Sequence, residues 1–140
     1  MEIINIKTIS TENLGSLSFF ESERDIPFKI KRIYFTYNVA ENSQRGGHAH
    51  KKLTQLLFCP YGSITIVLDD GSTKKEILLD SPSKGLIISN GIWRDMIWNK
   101  SESVLCVAAS DYYNEDDYIR NYEEFKRLVE KGYWNDENKL

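Results

Sequence analysis

Ser63-Ile64-Thr65-Ile66-Val67-Leu68-Asp69-Asp70-Gly71-Ser72-Thr73-Lys74-Lys75-Glu76-Ile77-Leu78-Leu79 carries the deciding pattern: a strand-length apolar run, an Asp-Asp-Gly break, then a second run. Aspartate and glycine tolerate the backbone of a tight turn, so the stretch predicts a hairpin of Ser63 to Leu68 with Lys75 to Leu79. The same alternation of short runs and breaks extends outward. Asn13-Leu14-Gly15, Asp25-Ile26-Pro27, Asn42 to Gly47, Pro60-Tyr61-Gly62, Asp80-Ser81-Pro82, Asn90-Gly91 and Asn99-Lys100-Ser101 punctuate the chain. Between them lie further β-rich segments: Ile30 to Tyr37, Leu86 to Ile88 and Val104 to Ala108. Many short strands with regular turn signals predict an all-β sandwich or barrel, of which the jelly roll is one closed form.

The last quarter changes period. Tyr118, Ile119, Tyr122, Phe125, Leu128 and Val129 recur at helical spacing, predicting a C-terminal helix that lays one apolar stripe on a sheet. Asn114 or Asp111 is positioned to cap it, the acids at 115 to 117 suit its first turn, and Gly132 suits its end.

The 140 residues suffice for one domain, 1–140, with ordinary globular composition: 41% hydrophobic and 28% charged. Eighteen basic against twenty-one acidic residues leave a net charge of -3, which gives no overall basicity for nucleic acid. No apolar run approaches the roughly 20 residues of a membrane span. The start, Met1 to Lys7, lacks the basic then apolar regions of a secretory signal. Cys59 and Cys106 lie in apolar strand-like segments and read as reduced thiols of a cytoplasmic protein.

Chemistry concentrates in Arg45-Gly46-Gly47-His48-Ala49-His50-Lys51, which holds both histidines of the chain. On a strand, their two-residue spacing puts both imidazoles on one face. The glycines before them permit an unusual turn and close approach of a ligand. A histidine can take and give a proton near neutral pH. In the preceding strand-like segment Tyr34 shares a face with Arg32, whereas Tyr37 falls on the other. An inward phenol can donate to an oxygen that gains charge.

These residues resemble the first motif of the cupin superfamily, a glycine, His-x-His, an acid and a closing glycine. His48, His50 and Gly62 match, and Gln55 stands at the acid. In the second motif Gly91 matches and Arg94 replaces the ligand histidine. A guanidinium cannot ligate as a neutral nitrogen and repels a divalent ion, so no metal is expected. The same departures oppose a metal-dependent cupin oxygenase.

A narrower resemblance covers nearly the whole chain. Ile26 to Tyr34, Arg45 to Lys51 and Ser110 to Arg120 are similar, in order and spacing, to the sugar 3,4-ketoisomerases. This resemblance implies a cupin jelly-roll barrel with a C-terminal α-helix, no metal or other cofactor, and a homodimer with exchanged N-terminal strands. It implies isomerisation of dTDP-4-oxo-6-deoxy-D-glucose to its 3-keto form, feeding 3-amino-3,6-dideoxy sugars into surface polysaccharide. His48 matches the catalytic base, His50 the second active-site histidine and Tyr34 the active-site tyrosine. Arg45 matches an arginine lining the ligand site. Arg32, Lys51 and Arg120 are the further cations available to a diphosphate. Trp93, Trp98 or a tyrosine is available to stack on thymine, and Trp93, Gln55 and Arg94 count among substrate contacts. Leu14, with Gly15, falls in a loop near the sugar where family members carry arginine or tyrosine. Arg94 falls where they commonly carry histidine. The rival reading is a non-catalytic regulatory cupin that binds a sugar nucleotide, separable by turnover of the 4-keto sugar.

Overall fold

The computed structural model describes residues 1–134 and 139–140. Its strands β7 (Ile64–Asp69) and β8 (Lys74–Leu79) form the expected hairpin, with Asp69 opposite Lys74. The turn is built by a side chain: the Asp70 carboxylate accepts from the backbone N–H of Ser72 and Thr73 at 2.9 and 2.8 Å. Gly71 takes φ +95°, a region that favours glycine. The same carboxylate accepts from the backbone N–H of Leu140 at 2.8 Å. These donors hold its pKa at about 2, overcoming burial, which raises it.

The chain begins with β1 (Glu2–Asn5), β2 (Lys7–Thr11), β3 (Gly15–Phe19) and β4 (Arg32–Thr36). It continues through β5 (Gln44–His50) and β6 (Gln55–Tyr61) into the hairpin. After β8 come β9 (Lys84–Ile88), β10 (Trp93–Trp98), β11 (Val104–Ala109) and β12 (Tyr118–Ile119), and then α1 (Tyr122–Glu130). One five-stranded sheet has the order β1-β9-β6-β11-β4, and a second β12-β5-β10-β7-β8. Every pairing is antiparallel. The inward faces meet in a core that includes Leu57, Ile66, Leu86, Met96, Trp98 and Val107. This is the jelly roll that the spacing of short strands predicts. Beyond that apolar core, β4, β5, β6 and β10 turn polar residues inward.

Two outer faces are covered differently. On the second sheet, α1 buries Phe125 against Ala49, Trp93 and Ile119. On the first, Ile26 packs with Leu56, Ile87 and Ala108. Ile33 and Phe35, alternating with inward Arg32 and Tyr34 on β4, remain about 60% exposed. Among the described residues the β2–β3 hairpin pairs with no other strand, and residues 7 to 18 are all exposed. The N-terminal strand β1 lies along β9.

The C-terminal helix begins later than the periodicity suggests. Asn114 caps only a 3-10 turn, Glu115–Asp117, and Tyr118 and Ile119 are then drawn into a strand opposite His50 and Ala49. Asn121 is the true cap of α1, its side chain accepting from the N–H of Glu124 at 2.9 Å. Pairing with β5 lays the Tyr118 ring against both histidines. Lys131 then caps the C-terminus of α1, and Gly132 follows at φ +67°.

Phe125 is fully buried, so Phe125→Ala is expected to cost about 3–5 kcal/mol, as for other buried aromatics. Urea unfolding followed by Trp fluorescence measures it. A loss under about 1 kcal/mol would mean that the helix is not a structural cover.

Candidate active site

Strand β5 is shaped by two glycines. Gly46 and Gly47 take φ +94° and +73°, and β5 shifts register against β10 between Arg94 and Asp95. A Cβ on Gly46 would stand 2.8 Å from the Arg94 carbonyl and 2.9 Å from Met96 Sδ. This irregularity brings His48 directly opposite Arg94 and turns both inward. Period two carries His50 to the same face, with the imidazole centroids 5.0 Å apart.

The polar residues form two connected sets. In the first, Arg94 Nη1 donates to Gln55 Oε1 at 2.6 Å, and Gln55 Nε2 donates to Tyr34 Oη at 3.1 Å. Arg94 Nη2 donates to the Ile92 carbonyl at 2.9 Å. In the second, His50 Nδ1 lies 3.0 Å from Asp117 Oδ2, while the N–H of Lys52 donates to Asp117 Oδ1 at 2.8 Å. A carboxylate that already accepts a backbone N–H is suited to accept a proton donor at Nδ1, leaving His50 Nε2 as the acceptor nitrogen. Tyr118 packs on both imidazoles, its ring 5.0 Å from that of His48 and 4.4 Å from that of His50.

Burial and cations set the protonation. Burial, then the Arg94 and Arg120 charges, depress His48 to about 3. Burial, then Arg94, depress His50 to about 2. Burial also lowers Arg94 to about 10, which leaves it charged at neutral pH. Burial raises the Tyr34 phenol, so it holds its proton. At the rim Arg120 donates to Glu115 at 2.7 and 3.1 Å and sits 4.3 Å from the Tyr118 ring centroid. That pairing, with the Tyr113 hydroxyl bond, holds Glu115 at about 2.

A cleft of about 300 Å³ opens here, lined by Arg32, Tyr34, Arg45, His48, Tyr118 and Arg120 among others. The structure thus gathers Arg32, Tyr34, Arg45, His48 and Arg120, all selected from the sequence, in one place. Gln55 and Arg94 lie under its floor and His50 is fully buried, so none of the three lines the cleft. Gln55 and Arg94 hydrogen-bond to each other, and Gln55 to Tyr34, within the protein. Lys51 is elsewhere, its Nζ donating to the Asp116 carbonyl at 2.9 Å. Trp93 faces outward beneath Tyr122 and Phe125, because odd positions of β10 oppose Arg94, and it lines a neighbouring surface groove with Arg120. Leu14 and Gly15 sit at the exposed turn of the β2–β3 hairpin, outside the cleft of their own chain. Asp117, Tyr118 and Tyr113 were not singled out as site residues. The signal that could have found the first two is a second cap, Asn121, which frees residues 115–120 from the helix.

The donor set does not suit a divalent metal. Gln55 Oε1 is engaged by a guanidinium, and that guanidinium is a fixed cation beside both imidazoles. Among the described residues no group of three or more His, Cys, Asp or Glu side chains converges as a metal site.

Imidazole, phenols and arginines at the mouth of a jelly roll make an acid–base site for an anionic ligand. The family model FdtA, described as WxcM-like, C-terminal, matches residues 1–130. A TDP-4-oxo-6-deoxy-alpha-D-glucose-3,4-oxoisomerase from Aneurinibacillus thermoaerophilus is 45% identical over 130 residues, 93% of each chain. A 3,4-ketoisomerase from Helicobacter canadensis has the same fold, with TM-score 0.88 and 45% identity over 92% of this chain and 96% of that one. So does the QdtA 3,4-ketoisomerase from Thermoanaerobacterium thermosaccharolyticum, solved as a His-to-Asn mutant with TDP-4-keto-6-deoxyglucose. Its TM-score is 0.89 and its identity 42%, covering 93% of this chain and 94% of that one. The chain belongs to this family of sugar 3,4-ketoisomerases.

With both histidines depressed, neither imidazole should titrate between pH 5 and 8 in the ligand-free protein. The Cε1 proton shifts should stay flat in that range by NMR. An unfolded histidine titrates near 6.5, so these groups contribute stability that is present above about 6.5 and lost as pH falls toward the folded values. A Cε1 shift with a midpoint near 6.5 would contradict the burial of that ring.

Proposed function

We propose that the protein is an isomerase that moves the keto group of dTDP-4-oxo-6-deoxy-D-glucose from C4 to C3. The observation that carries this reading is His48: a neutral imidazole in the cleft wall, facing Tyr34 in a chain of the ketoisomerase family. The C4 carbonyl acidifies the C3 hydrogen. His48 removes it, Tyr34 donates to the carbonyl oxygen, and an enediol forms. His48 then returns a proton to C4. The face that receives it sets the C4 configuration.

Arg32, Arg45 and Arg120 are the cleft cations that would hold the diphosphate. Binding that anion offsets the positive charge that depresses His48, so occupancy moves the base toward a useful pKa. His50 acts from behind, oriented by Asp117. The product would supply 3-amino-3,6-dideoxy sugars for surface polysaccharide. We place the reaction in the cytoplasm, consistent with two unpaired thiols, Cys59 and Cys106.

The working form in this reading is a homodimer. The exchanged segment is the β2–β3 hairpin, with Ile9 and Leu17 exposed, and the partner also covers Ile33 and Phe35 on β4. Exchange of that hairpin carries Leu14 and Gly15 toward the partner's cleft, where Leu14 would border the sugar.

Incubation with the 4-keto nucleotide and a 3-aminotransferase, followed by NMR of the amino sugar, tests activity and stereochemistry together. A binding-only protein would retain dTDP and give no product. His48→Asn should lower turnover by about 10²–10⁴-fold, the usual contribution of a general base, with dTDP affinity within a few fold. Near-normal turnover in that variant would remove His48 as the base. Sedimentation should give a dimer at micromolar concentration. A 16.3 kDa species there would overturn the exchanged hairpin.

A further inference from the structure

We propose that Gln55 is a positioning residue that directs the Tyr34 hydroxyl proton into the cleft, an inference that rests on the ketoisomerase reading above. An amide has two unlike ends, and its neighbours decide which end points where. Arg94 carries only donors, so Gln55 must turn Oε1 toward Nη1, 2.6 Å away. That orientation leaves Nε2 facing Tyr34 Oη at 3.1 Å. An N–H can only donate, so the phenol oxygen accepts there. Its single proton is therefore unspent on Gln55. Tyr34 lines the cleft, whereas Gln55 is 1% exposed and does not. The residue that stands where a cupin metal ligand would be thus sets the polarity of a hydrogen-bond chain running from a buried cation to the reaction site.

The direction matters to the chemistry. As the C3–H proton passes to His48, its bonding pair becomes the C3–C4 double bond. The carbonyl π pair takes the Tyr34 proton at O4. In the second half, the O3–H proton returns to the Tyr34 oxygen as C3=O forms. The double-bond pair takes the proton held by His48 at C4. Both side chains end as they began. Arg94, acting through the amide, stabilises the phenolate formed midway.

Gln55→Glu reverses the polarity while keeping shape and a partner for Arg94. The new carboxylate has no N–H, so it accepts from Tyr34 and draws the hydroxyl proton away from the cleft. Turnover of the 4-keto nucleotide should fall about 10²-fold or more, the scale of general-acid loss. It should reach the level of Tyr34→Phe, and the double variant should be no slower than either single one. The Kd for dTDP should stay within a few fold, and Tm should not fall. A readout independent of turnover is the ¹³Cζ titration of Tyr34, which faces Arg32, Arg94 and Tyr118 as well as Gln55. Gln55→Glu should move that titration to higher pH. Should the carboxylate variant not fold, Gln55→Met removes the N–H without adding charge. It should lose about tenfold in turnover, the scale of one hydrogen bond, and only when Tyr34 is present. Wild-type turnover in Gln55→Glu, additive losses with Tyr34→Phe, or an unmoved Tyr34 titration would overturn the proposal. Full activity in Tyr34→Phe would also overturn it and leave the ketoisomerase reading standing. Absence of product from the wild type would refute that reading, while the ¹³Cζ titration still decides the bond direction.

Discussion

A guanidinium with no solvent exposure sits inside the barrel, and the polar half of the molecule is arranged around it. Taking such a charge out of water costs several kcal/mol unless hydrogen bonds replace the lost solvent. Arg94 donates to Gln55 and to the carbonyls of Ile92 and Ser89. Its field disfavours a second positive charge, which helps keep both histidines neutral, and a neutral imidazole is the form that can take a proton. The same field opposes a divalent ion. One residue thus both disfavours a bound divalent ion and sets the conditions that permit acid–base chemistry.

Around that cation the strands supply geometry that an isolated motif cannot. The left-handed glycines and the register shift on β5 bring His48 level with Arg94. The short pairing of β12 with β5 then lays Tyr118 over both imidazoles, and Asp117, just before it, reaches His50. The segment 113–120 therefore belongs to the site from both sides. Asp117 orients a histidine from behind, and Arg120, Tyr113 and Glu115 form the polar rim in front. Helix α1 packs behind this segment, so the helix supports the site without contributing to it.

Much of the architecture is legible in local patterns. The hairpin around Asp70 and Gly71 reads directly because turn preference is set by the backbone freedom of a few adjacent residues. The shared face of His48 and His50 reads as directly, since side chains of a strand alternate whatever surrounds them. The same rule pairs Arg32 with Tyr34 on the inward face of β4. The helix start reads less well. Tyr118 and Ile119 satisfy a helical spacing, but they pair with His50 and Ala49, nearly seventy positions away along the chain.

What the sequence determined by itself was the class of fold and the shared face of the histidine pair. These depend on residue type and short-range period. The tertiary structure alone decided which cations meet at the cleft. Arg32, Arg45 and Arg120 come from three strands or their ends, while Lys51, within the histidine motif itself, turns away to Asp116. It also decided that Gln55 serves Tyr34 and that Trp93 belongs to the helix side. Such roles depend on strand register and on which face of each sheet is enclosed, and these are fixed only when distant segments pair.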